Sequence, residues 1–144
     1  METIQVKVEQ LDSDLPLPEY MSEGAVGMDL YAREDVLLFP RRIRLVSTGI
    51  KVSIPFGFEL QIRPRSSLAM KGIGIVNSPG TIDADYRGEI KVILINLGEK
   101  PFSIKRGDRI AQAVLSPVIY AKLKVVDKLE PTPRGERGFG HTGR

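Results

Sequence analysis

The sequence has no cysteine and no tryptophan, and a single histidine, His141, among its 144 residues. Without cysteine the chain cannot form disulfides, use a thiolate nucleophile or bind zinc through thiolates. One histidine excludes a histidine-rich metal centre and leaves a Ser-His-Asp triad dependent on that one position. Catalysis by this chain would therefore rest on carboxylates, arginines and hydroxyls.

Long hydrophobic runs and dense charge are also missing. No apolar run approaches the roughly 20 residues needed to span a bilayer, and Met1–Ile4 does not begin a signal peptide. The net charge of +3 is spread out, with no run of five like charges. We therefore expect a cytoplasmic protein with neither a membrane nor a nucleic acid as partner, and mild positive charge suited to a small anionic ligand.

Glycine and proline are plentiful instead, with 14 and 10 residues. So many turn residues predict short strands and argue against a helical bundle. Alternation and apolar runs predict strands at 4–8, 35–39, 43–54, 58–63, 90–97, 102–104 and 110–126. The last of these is expected to be broken at Pro117. Residues 90–97 are apolar on both faces, which predicts a central strand between two layers. The pattern indicates an all-β sandwich, jelly roll or barrel.

Helical signals are weak, and only one short helix is predicted, over 67–71. Ser66 is its expected N-cap and Gly72 its C-terminal stop. Arg65, Ser66 and Ser67 lie where free backbone N–H groups would form an anion site. The alternative is a capped turn whose arginine faces water.

The composition changes at the end of the chain. Residues 131–144 are rich in glycine and cannot build a core of their own, so we predict a domain over 1–130 followed by a flexible tail. The tail is either a frayed terminus or a mobile lid. Phe139 between two glycines, with Arg134 and Arg137 nearby, suits a base and a phosphate chain.

The densest polar segment is 80–90. If it is extended, Asp83 and Asp85 share one face, where one carboxylate could act as a general base. The alternative is an acidic turn with a surface ion pair. Tyr86 could exclude a sugar hydroxyl or pack in a strand, and Asn77 could face a base edge or only stabilise a turn.

One further polar residue, Gln112, interrupts an apolar run that follows Arg106-Gly107-Asp108. The tripeptide matches an adhesion motif, but matches of three residues arise by chance, and a turn is the expected structure. The sequence has no P-loop, dinucleotide fingerprint or HExxH motif.

Together these segments resemble the five motifs of the homotrimeric deoxyuridine triphosphatases (dUTP pyrophosphatases), in order, at 25–32, 64–69, 80–89, 106–112 and 134–143. The resemblance implies a jelly-roll-like β fold, a trimer with active sites between subunits, and hydrolysis of dUTP to dUMP and pyrophosphate. It also implies Mg²⁺ bound mainly to the triphosphate, and it makes 1–130 the catalytic domain and 131–144 the lid.

The resemblance also assigns roles to single residues. Asp83 matches the general base that orients water towards the α-phosphorus, and Tyr86 matches the residue that packs on deoxyribose. Phosphate-contacting positions of the family match Arg65, Ser66, Ser67, Gln112 and, in the tail, Arg134. Phe139 matches the ring that stacks on uracil. The uracil-reading hairpin matches Asn77 and the backbone from Thr81 and Ile82 to Lys91. Asp29 matches a position that reaches the metal only through water.

The sequence departs from the family motifs at two positions, and two rival functions stay open. His141 replaces a frequent serine of the tail motif, and Ser67 replaces a frequent glycine. The rival functions are a deoxycytidine triphosphate deaminase of the same fold and a non-catalytic nucleotide-binding jelly roll. The form of the 83–88 segment favours the triphosphatase.

Overall fold

The structure, a computed structural model, describes residues 1–143. Within them the chain forms one single-turn helix, α1 (Ser66–Ala69), and eleven strands. The strands are β1 (Lys7–Gln10), β2 (Met28–Tyr31), β3 (Val36–Leu38), β4 (Ile43–Ser47), β5 (Ile50–Ser53), β6 (Phe58–Arg63), β7 (Ile73–Ile75), β8 (Gly80–Ile82), β9 (Lys91–Asn96), β10 (Phe102–Ile104) and β11 (Arg109–Pro117).

All strand pairs are antiparallel, and they form four small sheets. The largest has the order β2-β11-β6-β8, and a second has the order β4-β9-β7. The other two are the pairs β1-β5 and β3-β10. One aliphatic core, built from nearly every strand, fills the space between them. The all-β prediction is confirmed.

Most predicted strands agree with the observed ones to within a residue or two. The predicted strand 43–54 is two strands, because Gly49 turns the chain at a φ of 78°. The first strand begins later than predicted, at Lys7. The prediction was wrong for 118–126, which forms no strand: Pro117 has no N–H to continue the ladder, and no other described strand pairs with this segment.

Three strands went unpredicted, namely β2, β7 and β8. Each has only three or four residues, too few for an alternating pattern to stand out. Their pairing with longer neighbours supplies what the local sequence does not indicate. Among residues 1–143, no helix has the length and apolar character needed to cross a membrane.

The short helix differs from its prediction at both ends. Arg65, not Ser66, occupies the N-cap position, with extended φ and ψ of −94° and 134° and no side-chain cap bond. Ser66 is already the first helical residue, so its role as N-cap was wrong. The helix stops at Ala69, before Gly72. Gly72 has a φ of 83°, and a Cβ there would lie 2.8 Å from the Gly98 nitrogen.

Strand β9 is central in its sheet, as predicted, but only one of its faces is fully covered. Val92 and Leu94 are buried, whereas Ile93 and Ile95 on the other face are only half-buried. Ile43 and Leu45 of β4 lie beside them and are more than half exposed. The expected second layer over this face is not supplied by the described part of the chain itself.

Candidate active site

Strand pairing brings three of the predicted site residues together. In the largest sheet, Gln112 of β11 lies opposite Asp29 of β2 on one side and opposite Arg63 of β6 on the other. Arg65 follows β6 by two residues, and its backbone is still extended. Asp29, Gln112 and Arg65 therefore meet at one edge of the sheet.

Asp29 holds two arginines at this edge. Its Oδ1 lies 3.4 Å from Nε of Arg65, and its Oδ2 lies 3.2 Å from Nη1 of Arg109. Arg65 also donates from Nη1 to the backbone carbonyl of Arg109, at 3.2 Å. Since the carboxylate fixes both guanidinium groups, their positive charge is in place before any ligand binds.

Gln112 is held as firmly. Its Nε2 donates to the Pro64 carbonyl at 2.9 Å. Gly27 packs directly against it, since a Cβ at residue 27 would lie 2.6 Å from Oε1 of Gln112. A Cβ at residue 27 would therefore force this amide to shift.

These side chains line a cavity of about 270 Å³, whose walls are formed by Met21, Ala25, Val26, Gly27, Asp29, Arg65, Ser66, Ser67 and Gln112. The exposed side chains of Ser66 and Ser67 begin α1, and the first N–H groups of a helix have no partner within it. We call Asp29, Arg65, Ser66, Ser67 and Gln112 the cavity group. Hydroxyls, N–H groups and an arginine around one cavity suit a polyphosphate.

Asp83 lies elsewhere, in a tight turn after β8. The Tyr86 N–H donates to the Asp83 carbonyl at 3.1 Å, so the segment 83–86 forms the turn that was the alternative, not the extended chain that would place Asp83 and Asp85 on one face. The segment 83–86 pairs with no strand among the described residues, so its backbone forms a hydrogen bond within the turn instead. Asp83 is exposed at a second cavity, lined by Phe56, Phe58, Glu59, Thr81, Asp83, Ala84, Asp85, Val118 and Tyr120.

Tyr86 is fixed by its own loop. Its hydroxyl donates to the Glu89 carbonyl at 2.9 Å, and its ring passes so close to Gly88 that a Cβ there would clash with the hydroxyl and lie 2.6 Å from Cζ. The residue as a whole is 42% exposed. Packing within a strand, the alternative role, is excluded by the loop conformation.

The predicted hairpin from Thr81 to Lys91 takes a different form. Thr81 and Ile82 belong to β8, which pairs with β6, whereas Lys91 begins β9 in another sheet. The two ends of this segment therefore do not pair with each other. Asn77 is exposed just before β8, with its amide nitrogen close to Gly80.

The register of β6 and β8 separates Asp83 from the cavity group. Leu60 lies opposite Ile82, so Asp83 follows opposite Glu59. Arg65 is six residues further along the extended chain, which corresponds to about 20 Å at 3.3 Å per residue. One chain therefore does not bring Asp83 to its own cavity group.

The tail residues also lie apart. Within residues 1–143, the side-chain hydrogen bonds of 131–143 are internal, such as that from Nε of Arg134 to the Arg137 carbonyl at 2.8 Å. Phe139 is fully exposed, with a φ of 51°. Arg144, the last residue of the predicted lid, lies outside the described residues. We call Asp83, Tyr86, Arg134 and Phe139 the outlying group.

Comparison with known proteins relates this chain to one enzyme family. A family model described as dUTPase matches residues 13–143. The chain belongs to the dUTPase family. It is 53% identical to the deoxyuridine 5'-triphosphate nucleotidohydrolase of Caldanaerobacter subterraneus subsp. tengcongensis, over 97% of both chains. It is 56% identical to that of Ehrlichia canis, over 97% of this chain and 95% of the relative.

Solved dUTPases show the same fold. The Staphylococcus bacteriophage 80alpha dUTPase, solved with dUPNHPP, superposes with a TM-score of 0.90 at 28% identity, over 99% of this chain and 100% of the other. A mutant dUTPase from phage phi11 of S. aureus, described with a structural Mg(II) ion, gives a TM-score of 0.80 at 24% identity, over 87% and 98%. At that identity the second likeness concerns the fold alone.

Sequence reasoning gave no role to two residues that build this candidate site. Arg109 pairs with Asp29, and Gly27 makes room for Gln112. Both lie inside segments that resemble dUTPase motifs, but only the register of β11 against β2 shows what they touch. The turn predicted at 106–108 is confirmed, with Gly107 at a φ of 88°.

Proposed function

We propose that this protein hydrolyses dUTP to dUMP and pyrophosphate. The observation that carries the proposal is the cavity group, preassembled by strand pairing in a chain of the dUTPase family. Relatives that match this chain over nearly their full length are named deoxyuridine 5'-triphosphate nucleotidohydrolase, a name that describes the same reaction. Keeping uracil out of DNA and supplying dUMP for dTMP synthesis are the roles this activity would serve.

The cavity group would bind the triphosphate. Arg65 offers charge to a non-bridging oxygen, while Ser66, Ser67 and Gln112 offer neutral donors. Negative charge builds on the phosphoryl oxygens as the α-phosphorus is attacked, and fixed donors stabilise it without having to reorganise.

Asp83 is the proposed general base. Its exposed carboxylate would orient a water molecule and take its proton as the water oxygen bonds to the α-phosphorus. The bond from that phosphorus to the bridging oxygen then breaks, and pyrophosphate leaves. Tyr86 would lie against C2′ of deoxyribose, where ribose has a hydroxyl that does not fit. Asn77 and the backbone from Thr81 and Ile82 to Lys91 would read uracil and exclude the methyl of thymine.

A homotrimer with shared sites would bring the two groups together. The separation of about 20 Å between Asp83 and Arg65 supports this, since another chain has to supply the base. Apolar side chains left in solvent by one chain support it further: Ile119, Leu123 and Val125 are at least 90% exposed. Surfaces of this kind mark contacts between chains.

The segment 131–144 would act as the lid of the site, while 1–130 forms the catalytic domain. Arg134 would contact the γ-phosphate, and Phe139 would stack on uracil, a contact worth about 1–3 kcal/mol. The described part of the tail makes its side-chain hydrogen bonds only within itself, so it is available to close on a ligand. The single His141 would be a minor tail contact.

Mg²⁺ is proposed to arrive on the triphosphate. Among residues 1–143 no three acidic or histidine side chains converge, and both oxygens of Asp29 already face arginines. The triphosphate oxygens would thus hold the ion, and Asp29 would reach its water shell. When bound, the ion supplies positive charge against the leaving pyrophosphate. The lack of cysteine suits a reducing compartment, and we propose a cytoplasmic location.

Pyrophosphate release, measured side by side with dUTP, dTTP, dCTP and UTP, tests the function. We expect turnover of dUTP and little with the other three. Conversion of dCTP to dUTP and ammonia would establish the deaminase instead. Nucleotide binding without any product would establish the non-catalytic alternative.

A further inference from the structure

Arg33 lies outside the proposed catalytic and binding residues, yet it contacts the loop that carries two of them. It follows β2 by two residues, and its backbone N–H donates to the Ser47 carbonyl at 2.8 Å. Its Nη1 donates to Oε2 of Glu89 at 2.9 Å, and its Nη2 donates to the Leu11 carbonyl at 3.2 Å. The guanidinium thus joins the Glu89 side chain to two other parts of the chain.

Glu89 depends on this contact. Its side chain is only 11% exposed, and Arg33 is its ion-pair partner among the described residues. A carboxylate so shielded from water needs a compensating charge, so the pair is held more firmly than a surface ion pair. The next residue, Ile90, is fully buried and donates its N–H to the Ile50 carbonyl at 2.9 Å.

The loop transmits this anchoring to Tyr86. The Tyr86 hydroxyl donates to the backbone carbonyl of Glu89, and its ring lies on Gly88. Displacement of Glu89 would therefore move the acceptor that orients the ring. At the other end of the loop, the Tyr86 N–H donates to the Asp83 carbonyl, so one turn holds both proposed site residues.

We infer that Arg33 is a positioning residue, which holds the 83–89 loop through Glu89 and so sets how closely Tyr86 approaches the sugar. This inference rests on the proposed function, in which Tyr86 excludes ribose. It assigns part of the discrimination between dUTP and UTP to a residue outside the proposed nucleotide-binding residues.

The test is the ratio of kcat/KM for dUTP to that for UTP, measured well below the unfolding midpoint of each variant. Arg33→Ala should lower this ratio about tenfold, as expected for losing a charge-assisted hydrogen bond. Glu89→Ala should lower it equally while retaining the backbone carbonyl. Glu89→Ala should cost less stability than Arg33→Ala, because Arg33 would still be solvated and would keep its contact with Asp12. Arg33→Lys should restore part of the ratio.

Asp12→Asn is the matched control. Asp12 contacts the same guanidinium, with Oδ2 3.6 Å from Nε, but among the described residues it makes no ion pair with the loop. This variant should lose stability and keep its selectivity. An unchanged ratio in Arg33→Ala or Glu89→Ala, or an equal loss in Asp12→Asn, overturns the inference. Wild-type protein that fails to hydrolyse dUTP overturns the proposed function, and the positioning role with it.

Discussion

The cavity group and the outlying group differ in how the fold holds them. Asp29 and Gln112 are opposed by strand register, and Arg65 is fixed by the Asp29 carboxylate and by a backbone carbonyl. Arg134 and Phe139, by contrast, lie beyond the last described strand, and Arg134 bonds within its own segment. The first group is preorganised, whereas the tail residues of the second group, Arg134 and Phe139, have to be brought to a ligand.

This difference assigns each group its part of the work. Preorganised donors need no ordering when the triphosphate binds, so they suit the stabilisation of developing charge. In the proposed function, a tail that orders on binding would lose conformational freedom, but it would admit substrate and then exclude water. Of the four predictions that follow, from the largest expected effect to the smallest, the first three test this division and the fourth tests an ion pair outside both groups.

Asp83→Asn should abolish most turnover. The amide keeps the size of the carboxylate but cannot accept the proton, and general base catalysis contributes roughly 10²–10⁴-fold. Steady-state kcat measures the loss, and binding of a non-hydrolysable dUTP analogue should be unchanged. Wild-type turnover in this variant would remove Asp83 from the mechanism.

Deletion of residues 131–144 should leave a folded protein with activity lowered about 10- to 100-fold, since it removes stacking worth about 1–3 kcal/mol. Pyrophosphate release and thermal unfolding measure the two effects. Mixing this chain with the Asp83→Asn chain, after joint refolding, should give more activity than the sum of the parents. Activity equal to that sum would mean that each chain completes its own site.

Gly27→Ala should weaken dUTP binding about fivefold. The new Cβ would lie 2.6 Å from Oε1 of Gln112 and would displace the amide from Pro64, at a cost of about 1 kcal/mol. Gly24→Ala is the control, because nothing lies within 4 Å of a Cβ at residue 24. KM for dUTP should rise only in the first variant. Equal values in both would show that the cavity group is not preorganised.

Asp12→Asn should change how stability depends on acid. The hydrogen bond from Arg106 lowers the pKa of Asp12 to about 2 from its usual value of 3.8. The stabilising contribution is therefore full above about pH 4 and is lost as the pH falls through about 2. The free energy of unfolding, measured at fixed protein concentration, should differ between wild type and variant near neutral pH and converge as the pH falls below about 2. A constant difference would contradict the ion pair.

The sequence predicted the longer strands well, because β6 and β9 carry enough apolar residues to reveal their period. It predicted no strand at β8 and a strand at 118–126, where none forms. In both places strand pairing, which is present at β8 and absent at 118–126, decided the structure against the local sequence pattern. Only a neighbouring strand fixes three residues such as Gly80–Ile82, and without a partner even an apolar segment stays outside the sheets.

The sequence by itself determined the chemistry available to this protein: no thiol, one imidazole, several arginines and carboxylates, and a glycine-rich tail. Its motifs also predicted the family. Only the tertiary structure decided which of these groups meet. Contacts such as Asp29 with Arg109, or Arg33 with Glu89, join residues 80 and 56 positions apart. Such contacts depend on strand register and chain reversal, which no local pattern specifies.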